Sequence, residues 1–259
     1  MSSRIDGKEP LAKPLTTDVF GSANPLFRKE PGEYMTARQQ TLWREKYEAL
    51  AARLHEGHFR QSSEVALSLR RKYQTTVFGN VYVYDLLQRL SECIDPTDTE
   101  LYCVSQLVHT LQVAEGLEED GVVDETLLLA ALVHDLGKVV DLLGEDPQYT
   151  NGPNAPIGEN RRGCGLDNAT ITWSHDEFAY QKLKDHVPDH VAWLIRFHSL
   201  RFDTAHDLMD DRDRRYYSTY LGRFRKQDLR TKSIFRRPRR RLSDYRNLIQ
   251  KYFPARIAI

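Results

Sequence analysis

His134 and Asp135 sit inside LAALVHDLGK, a run of leucine, alanine and valine. Ionisable groups in such a run are buried, and burial is costly unless they are paired or bound to a metal. Neighbouring side chains on a helix diverge by about 100°, so the two can reach different sides of a metal pocket. The aspartate has two oxygens and can bridge two ions. Taken alone, the pair fits a hydrogen-bonded core histidine as well as it fits a metal.

Four further residues share that setting. His198 follows Val191, Leu194 and Ile195 at i, i+3, i+4, i+7, the buried face of a helix. His175 shares a face with Phe178 and Ala179. His109 lies on the apolar segment before the His134 segment, and Asp228 continues a stripe with Leu221 and Phe224. One such histidine is usually a satisfied core residue. Four histidines and two aspartates together are better explained by metal, because imidazole and carboxylate suit iron and related ions. With His109, His134, Asp135, His175, His198 and Asp228 as ligands, two ions sharing Asp135 is the natural arrangement. The remaining histidines, His55, His58, His186, His190 and His206, lie in polar surroundings and read as surface residues.

Lys138 follows His134 by four residues and Asp135 by three, and projects to their face. A cation beside metal ions is unfavourable unless an anion or a developing alkoxide lies between them. Lys138 is therefore either a substrate-oxygen partner or a lysine snorkelling from the end of its helix. Lys232, one turn beyond Asp228, carries the same two readings.

The elements that must position these groups read as helices throughout. Residues 1–26, rich in Ser, Pro, Lys and Gly, read as a flexible arm, with the domain running from 27 to 259. Helical patterns follow over 34–71, 82–90, 101–117 and 125–143, the last being the most apolar and expected at the centre. Five glycines and three prolines make 144–167 a loop. Helices resume over 172–184, with Thr172 or Ser174 as N-cap, from Pro188 to about 199, over 216–233 and over 242–252. No convincing strand and no repeat is present, so the fold class is all-α, one helical bundle around a two-metal site.

Composition removes several functions. The 37 basic and 37 acidic residues among 259 cancel, which argues against nucleic acid or an anionic membrane surface as partner. The basic cluster Arg236-Arg237-Pro238-Arg239-Arg240-Arg241 lacks interleaved aromatics and reads as a solvated surface turn. Cys93, Cys103 and Cys164 form no CxxC pair and fit a reducing compartment. No apolar run approaches the roughly 20 residues of a membrane span. A cytoplasmic monomer is expected.

The motifs carry a resemblance. HTLQVAEG at His109, LVHDLGKVVDLLGE at His134, CGLD at Cys164, WSHDEFAYQ at His175, LIRFHS ending at Ser199, FRKQDLRTKS around Asp228 and YRNLIQKYFP near the end resemble the myo-inositol oxygenases. These are the mixed-valent di-iron branch of the HD-domain superfamily, and the likeness runs from about Phe27 to the end. It implies one iron on His109, His134, Asp135 and Asp228, and a second on His175, His198 and the shared Asp135. It implies a mixed-valent Fe(II)/Fe(III) pair, O2 as co-substrate, and cleavage of the myo-inositol ring to D-glucuronate. It also implies substrate contacts from Arg28, Asp95, Lys138, Gly152, Ser199 and Lys232, with Lys138 and Asp135 catalytic.

Two departures fall on the substrate side. Pro153 stands where the family places an aspartate after the loop glycine, and the following insertion shrinks to IGENRRG, leaving Asn151, Asn154 or Asn160 to supply a hydrogen bond. A second reading is therefore a related di-iron oxygenase acting on another hydroxylated substrate: a different cyclitol, a sugar or an organophosphonate. A third is a metal-dependent phosphohydrolase, the commonest role of HD domains, against which the full six-ligand set argues.

Overall fold

The computed structural model describes residues 37–259 apart from Thr99, Tyr102 and Cys103, so the expected arm, the boundary at residue 27 and Arg28 lie outside the described residues. The helical pattern expected over 34–71 is two helices, α1 (Ala37–Phe59) and α2 (Ser63–Gln74). They divide because Ser62 is extended and its hydroxyl accepts the Val65 amide at 3.3 Å, capping α2. After α3 (Val83–Arg89), α4 (Gln106–Glu119) starts later than expected, with Leu101 and Val104 buried in the turns before it.

The apolar segment expected as one helix over 125–143 is broken at the residues that matter. The central helix α5 (Glu125–Val133), capped by Asp124, stops before His134. Asp135 then adopts φ −94°, ψ 8°, and the chain continues as a tighter 3-10 helix over Leu136–Leu143. Gly137 explains part of the departure. A Cβ there would lie 1.9 Å from the carbonyl oxygen of His175, so this segment packs against its neighbour by backbone contact.

The loop after it contains one helical turn, α6 (Pro147–Thr150), and an antiparallel bridge between Pro156 and Ile171. Of the two candidate caps, Ser174 is the one used. It accepts the Asp176 amide at 3.1 Å and opens α7 (His175–Leu183). Then come α8 (Asp189–Phe197), α9 (Phe202–Ala205) and α10 (Asp211–Tyr216). A π-helical turn at Tyr217–Leu221 leads into α11 (Gly222–Arg230), and α12 (Arg246–Tyr252) is the last helix.

The all-α expectation holds. Among the described residues the strands are β1 (Asn80–Val81) and β2 (Ile257–Ala258), antiparallel with Asn80 opposite Ala258. Elements of two residues carry no periodicity to read. The apolar helix α5 lies at the centre, against α4 on one side and α8 on the other, with α7 on α8 and α11 on α4. No described helix is long and apolar enough to cross a membrane. In the basic cluster, Arg236, Arg239 and Arg240 pair with Glu118 and Glu119 at the end of α4.

Candidate metal centre

The junction between α5 and the 3-10 helix is ringed by four other helices. α4 brings His109, α7 brings His175 as its first residue, α8 ends at His198, and α11 brings Asp228. The π-helical turn just before α11 helps set the register that turns Phe224 and Asp228 inward. His109, His134, Asp135, His175, His198 and Asp228 are all buried. Five of them fall into two clusters that could each hold an ion, His109–His134–Asp135 and Asp135–His175–His198, with the donor atoms of each within 4.8 Å of one another.

Asp135 belongs to both clusters through different oxygens. Its Oδ1 lies 3.1 Å from His175 Nε2 and 3.6 Å from His198 Nε2. Its Oδ2 lies 3.4 Å from His134 Nε2 and 3.6 Å from His109 Nε2. Asp228 Oδ1 stands 3.1 Å from His109 Nε2.

The backbone decides which imidazole nitrogen faces inward. Nδ1 of His134 donates to Ala131 O at 2.9 Å, Nδ1 of His175 to Thr150 O at 2.7 Å, and Nδ1 of His198 to Ile195 O at 3.2 Å. A carbonyl only accepts, so Nδ1 carries the proton and Nε2 of the neutral ring offers a lone pair to the centre. Thr150 is itself held, its hydroxyl bonding the buried Asp141.

Lone pairs facing carboxylates in a dry pocket need positive charge between them. His134 Nε2 is fully buried and has no hydrogen-bond partner among the described residues. Burial by itself lowers the pKa of His175, yet the carboxylates of Asp176 and Asp135 push it up to about 10. His198 is raised in the same way against its burial, by Asp176 and Asp135. The surrounding carboxylates thus favour positive charge at these rings. Burial raises Asp135 and Asp228 but is outweighed, by His134 and Lys138 for the first and by Lys232 and His109 for the second, and both stay well below the usual carboxylate range. The donor set fits cations of the kind that imidazole and carboxylate bind.

Lys138 does not snorkel. It is buried, and its Nζ donates to Asp95 Oδ2 and Asp135 Oδ2 at 2.9 Å each and to Gln106 Oε1 at 2.8 Å. Lys232 bonds Asp98 at 2.8 Å and lies 3.8 Å from Asp228. Asp95 is buried, which would raise it, but Lys138 and the Thr97 hydroxyl hold it down to about 2. These groups border a cavity of about 250 Å³ that opens onto His109, Asp135, His175, His198 and Asp228. Asp95, Lys138, Gly152, Ser199 and Lys232 all line it. Gly152 takes φ +98°, which side chains other than glycine's rarely adopt, and a Cβ there would come 3.1 Å from the His55 ring.

The family model for myo-inositol oxygenase matches residues 48–158 and 151–259. This chain belongs to the myo-inositol oxygenase family. It is 29% identical over 240 residues to a probable inositol oxygenase of Oryza sativa subsp. japonica, covering 77% of each chain. It is 29% identical over 299 residues to inositol oxygenase 2 of Arabidopsis thaliana, covering 98% of this chain and 90% of the relative. To the inositol oxygenase of Danio rerio it is 26% identical over 236 residues, covering 76% and 84%.

In this inositol oxygenase family member, three expectations about the pocket need correcting. None of the three loop asparagines lines the cavity. Asn151 bonds Asp141, Asn154 bonds Asp176 and Thr172, and Asn160 braces Ile157 and Thr170. His58 is not a surface residue. It is fully buried, with Nδ1 donating to Gln148 O at 3.0 Å. The signal was available, since Ala51, Leu54 and His58 fall at i, i+3, i+7. His55 is half-buried and lines the cavity beside Gly152 and Pro153.

Asp176 is the residue the sequence reading passes over. Its Oδ1 lies 2.7 Å from His175 Nε2 and 3.7 Å from His198 Nε2. Its other oxygen accepts from the Ser199 hydroxyl and from Asn154 Nδ2. WSHDE is a second His-Asp pair beside apolar residues, the same signal that marks His134-Asp135.

Proposed function

We propose that the chain is a di-iron, O2-dependent oxygenase that cleaves the ring of myo-inositol, or of a closely related cyclic polyol, to a uronic acid such as D-glucuronate. The observation that carries this is Asp135, whose two oxygens face two separate histidine pairs. His109, His134, Asp135 and Asp228 would hold one iron, and His175, His198 and Asp135 the other. A mixed-valent pair supplies Lewis acidity toward a substrate hydroxyl and electrons toward O2.

The side chains around that site do the rest. Burial excludes water. Lys138 Nζ, held between Asp95 and Asp135, is placed to exchange its third bond, to Gln106, for one to a substrate oxygen as that oxygen loses its proton. Ser199 gives its own proton to Asp176 and accepts from the Asn154 amide at 3.3 Å. The one lone pair left on its oxygen can only accept, so the substrate presents a hydroxyl there. Lys232 and Asp98 form a second polar edge for further hydroxyls.

The test is O2 uptake by iron-loaded, partly reduced protein with myo-inositol, with product identified by mass spectrometry. Uptake matched by glucuronate is expected. No uptake with any cyclic polyol, from protein holding two irons, would sink the reading. Pro153 and the short loop favour a second reading, the same chemistry on another hydroxylated substrate, which uptake with a different cyclitol or sugar alone would select. Release of inorganic phosphate from a phosphoester without O2 uptake would select a phosphohydrolase.

A further inference from the structure

Among the described residues, one cation lining the cavity has no hydrogen-bond or ion-pair partner. Lys138 is shared by Asp95 and Asp135, and Lys232 by Asp98 and Asp228. Arg225 also lines the cavity, half-buried, and among the described residues it makes no hydrogen bond and no ion pair. Its guanidinium meets only the Phe202 ring, 6.0 Å from the centroid. Other half-buried or buried arginines are treated differently. Arg196 bonds Glu177 and Asp167, and Arg212 bonds Asp167 and Asp189.

The position of Arg225 follows from α11. It precedes Asp228 by three residues, so both face the cavity from one side of the helix. Lys138 is buried at the floor beside Asp135, whereas Arg225 is only half-buried. A ring placed against the floor would therefore extend a substituent toward Arg225.

A guanidinium only donates, in a planar fork that matches two oxygens of one anionic group. A neutral polyol leaves that fork half-used, and its charge is uncompensated in a cavity whose carboxylates are already committed. We infer that Arg225 is a specificity-determining residue that reads an anionic substituent, a phosphate, phosphonate or carboxylate, on a hydroxylated ring substrate. This rests on the oxygenase reading for the ring's fate, but the binding step can be tested apart from it.

The experiment is anaerobic calorimetry on the iron-loaded chain with myo-inositol, myo-inositol 1-phosphate and D-glucuronate, for the natural protein, Arg225→Gln and Arg225→Lys, with iron content measured in each. A charge-assisted fork contributes roughly 10- to 100-fold in affinity. At least one anionic ligand should bind about tenfold or more tighter than myo-inositol, and which one distinguishes phosphate from carboxylate. Arg225→Gln should abolish that preference, and Arg225→Lys should restore part of it. Equal binding of neutral and anionic ligands by the natural protein overturns the proposal. So does tight anion binding that survives Arg225→Gln, because the anion is then on the iron. Selective binding without O2 uptake would leave Arg225 its role and remove the oxygenase reading. Uptake on myo-inositol with no anion preference would do the reverse.

Discussion

Asp135 Oδ1 stands 3.1 Å from His175 Nε2, while Asp135 Oδ2 turns away toward His134 and His109. One carboxylate thus joins two histidine clusters that come from four different segments of the chain. Its replacement should disturb both candidate ion sites, whereas loss of a histidine should disturb one.

On the two-iron reading proposed above, Asp135→Ala is expected to reduce bound iron from two per chain to near none and to abolish O2 uptake. His198→Ala should leave about one iron. Metal analysis after gel filtration reads both, and Asp135→Ala protein that keeps two irons would remove the bridging role.

Lys138→Met leaves the buried carboxylate of Asp95 without its cation. Breaking a buried pair in this way costs about 3–5 kcal/mol, measurable by urea unfolding at matched iron content. Adding Asp95→Asn to Lys138→Met should recover part of the loss, because the orphaned charge is gone. A double variant no more stable than Lys138→Met would show that the pair is not coupled.

Gly137→Ala places a methyl where the His175 carbonyl now stands, 1.9 Å from the new carbon. The strain should cost about 1–3 kcal/mol and push α7 off the 3-10 helix. Iron should be lost first from the His175–His198 side, giving about one iron per chain. Unchanged iron content and thermal midpoint would contradict the close approach.

His58 makes stability depend on pH. Burial is the main cause that lowers its pKa from 6.5 to about 4. Below pH 6.5 the unfolded chain takes up a proton here and the folded chain does not, so stability falls as pH drops from about 6.5 to 4. The loss is on the order of 3 kcal/mol at the acid end. His58→Gln, which cannot titrate, should flatten unfolding free energy against pH in that window. Parallel curves for the two proteins would assign the acid loss to other groups.

Ser199 and Lys232 line the cavity. His198 was legible in outline because a buried face repeats every 3.6 residues, and Val191, Leu194 and Ile195 mark it. His175 was legible through the apolar residues that follow it, and Ser174 as a cap through its residue type. The central place of α5 followed from its unbroken apolar composition. These are local quantities, and a sequence states them directly.

What the tertiary structure alone decided is what each of those faces meets. That α5 stops before His134, and that Leu136–Leu143 wind as a 3-10 helix, depends in part on the backbone of α7 lying against Gly137. Propensity cannot register a neighbour so distant in sequence. Asp176 reaches the centre, and Arg225 is without an ion-pair partner among the described residues, because α7, α8 and α11 converge on one cavity. The same holds for Asn151, Asn154 and Asn160, whose residue type suited a substrate contact but whose hydrogen bonds are taken by the loop itself. Periodicity tells a side chain to turn inward. Which charge it finds there is a property of the packed chain.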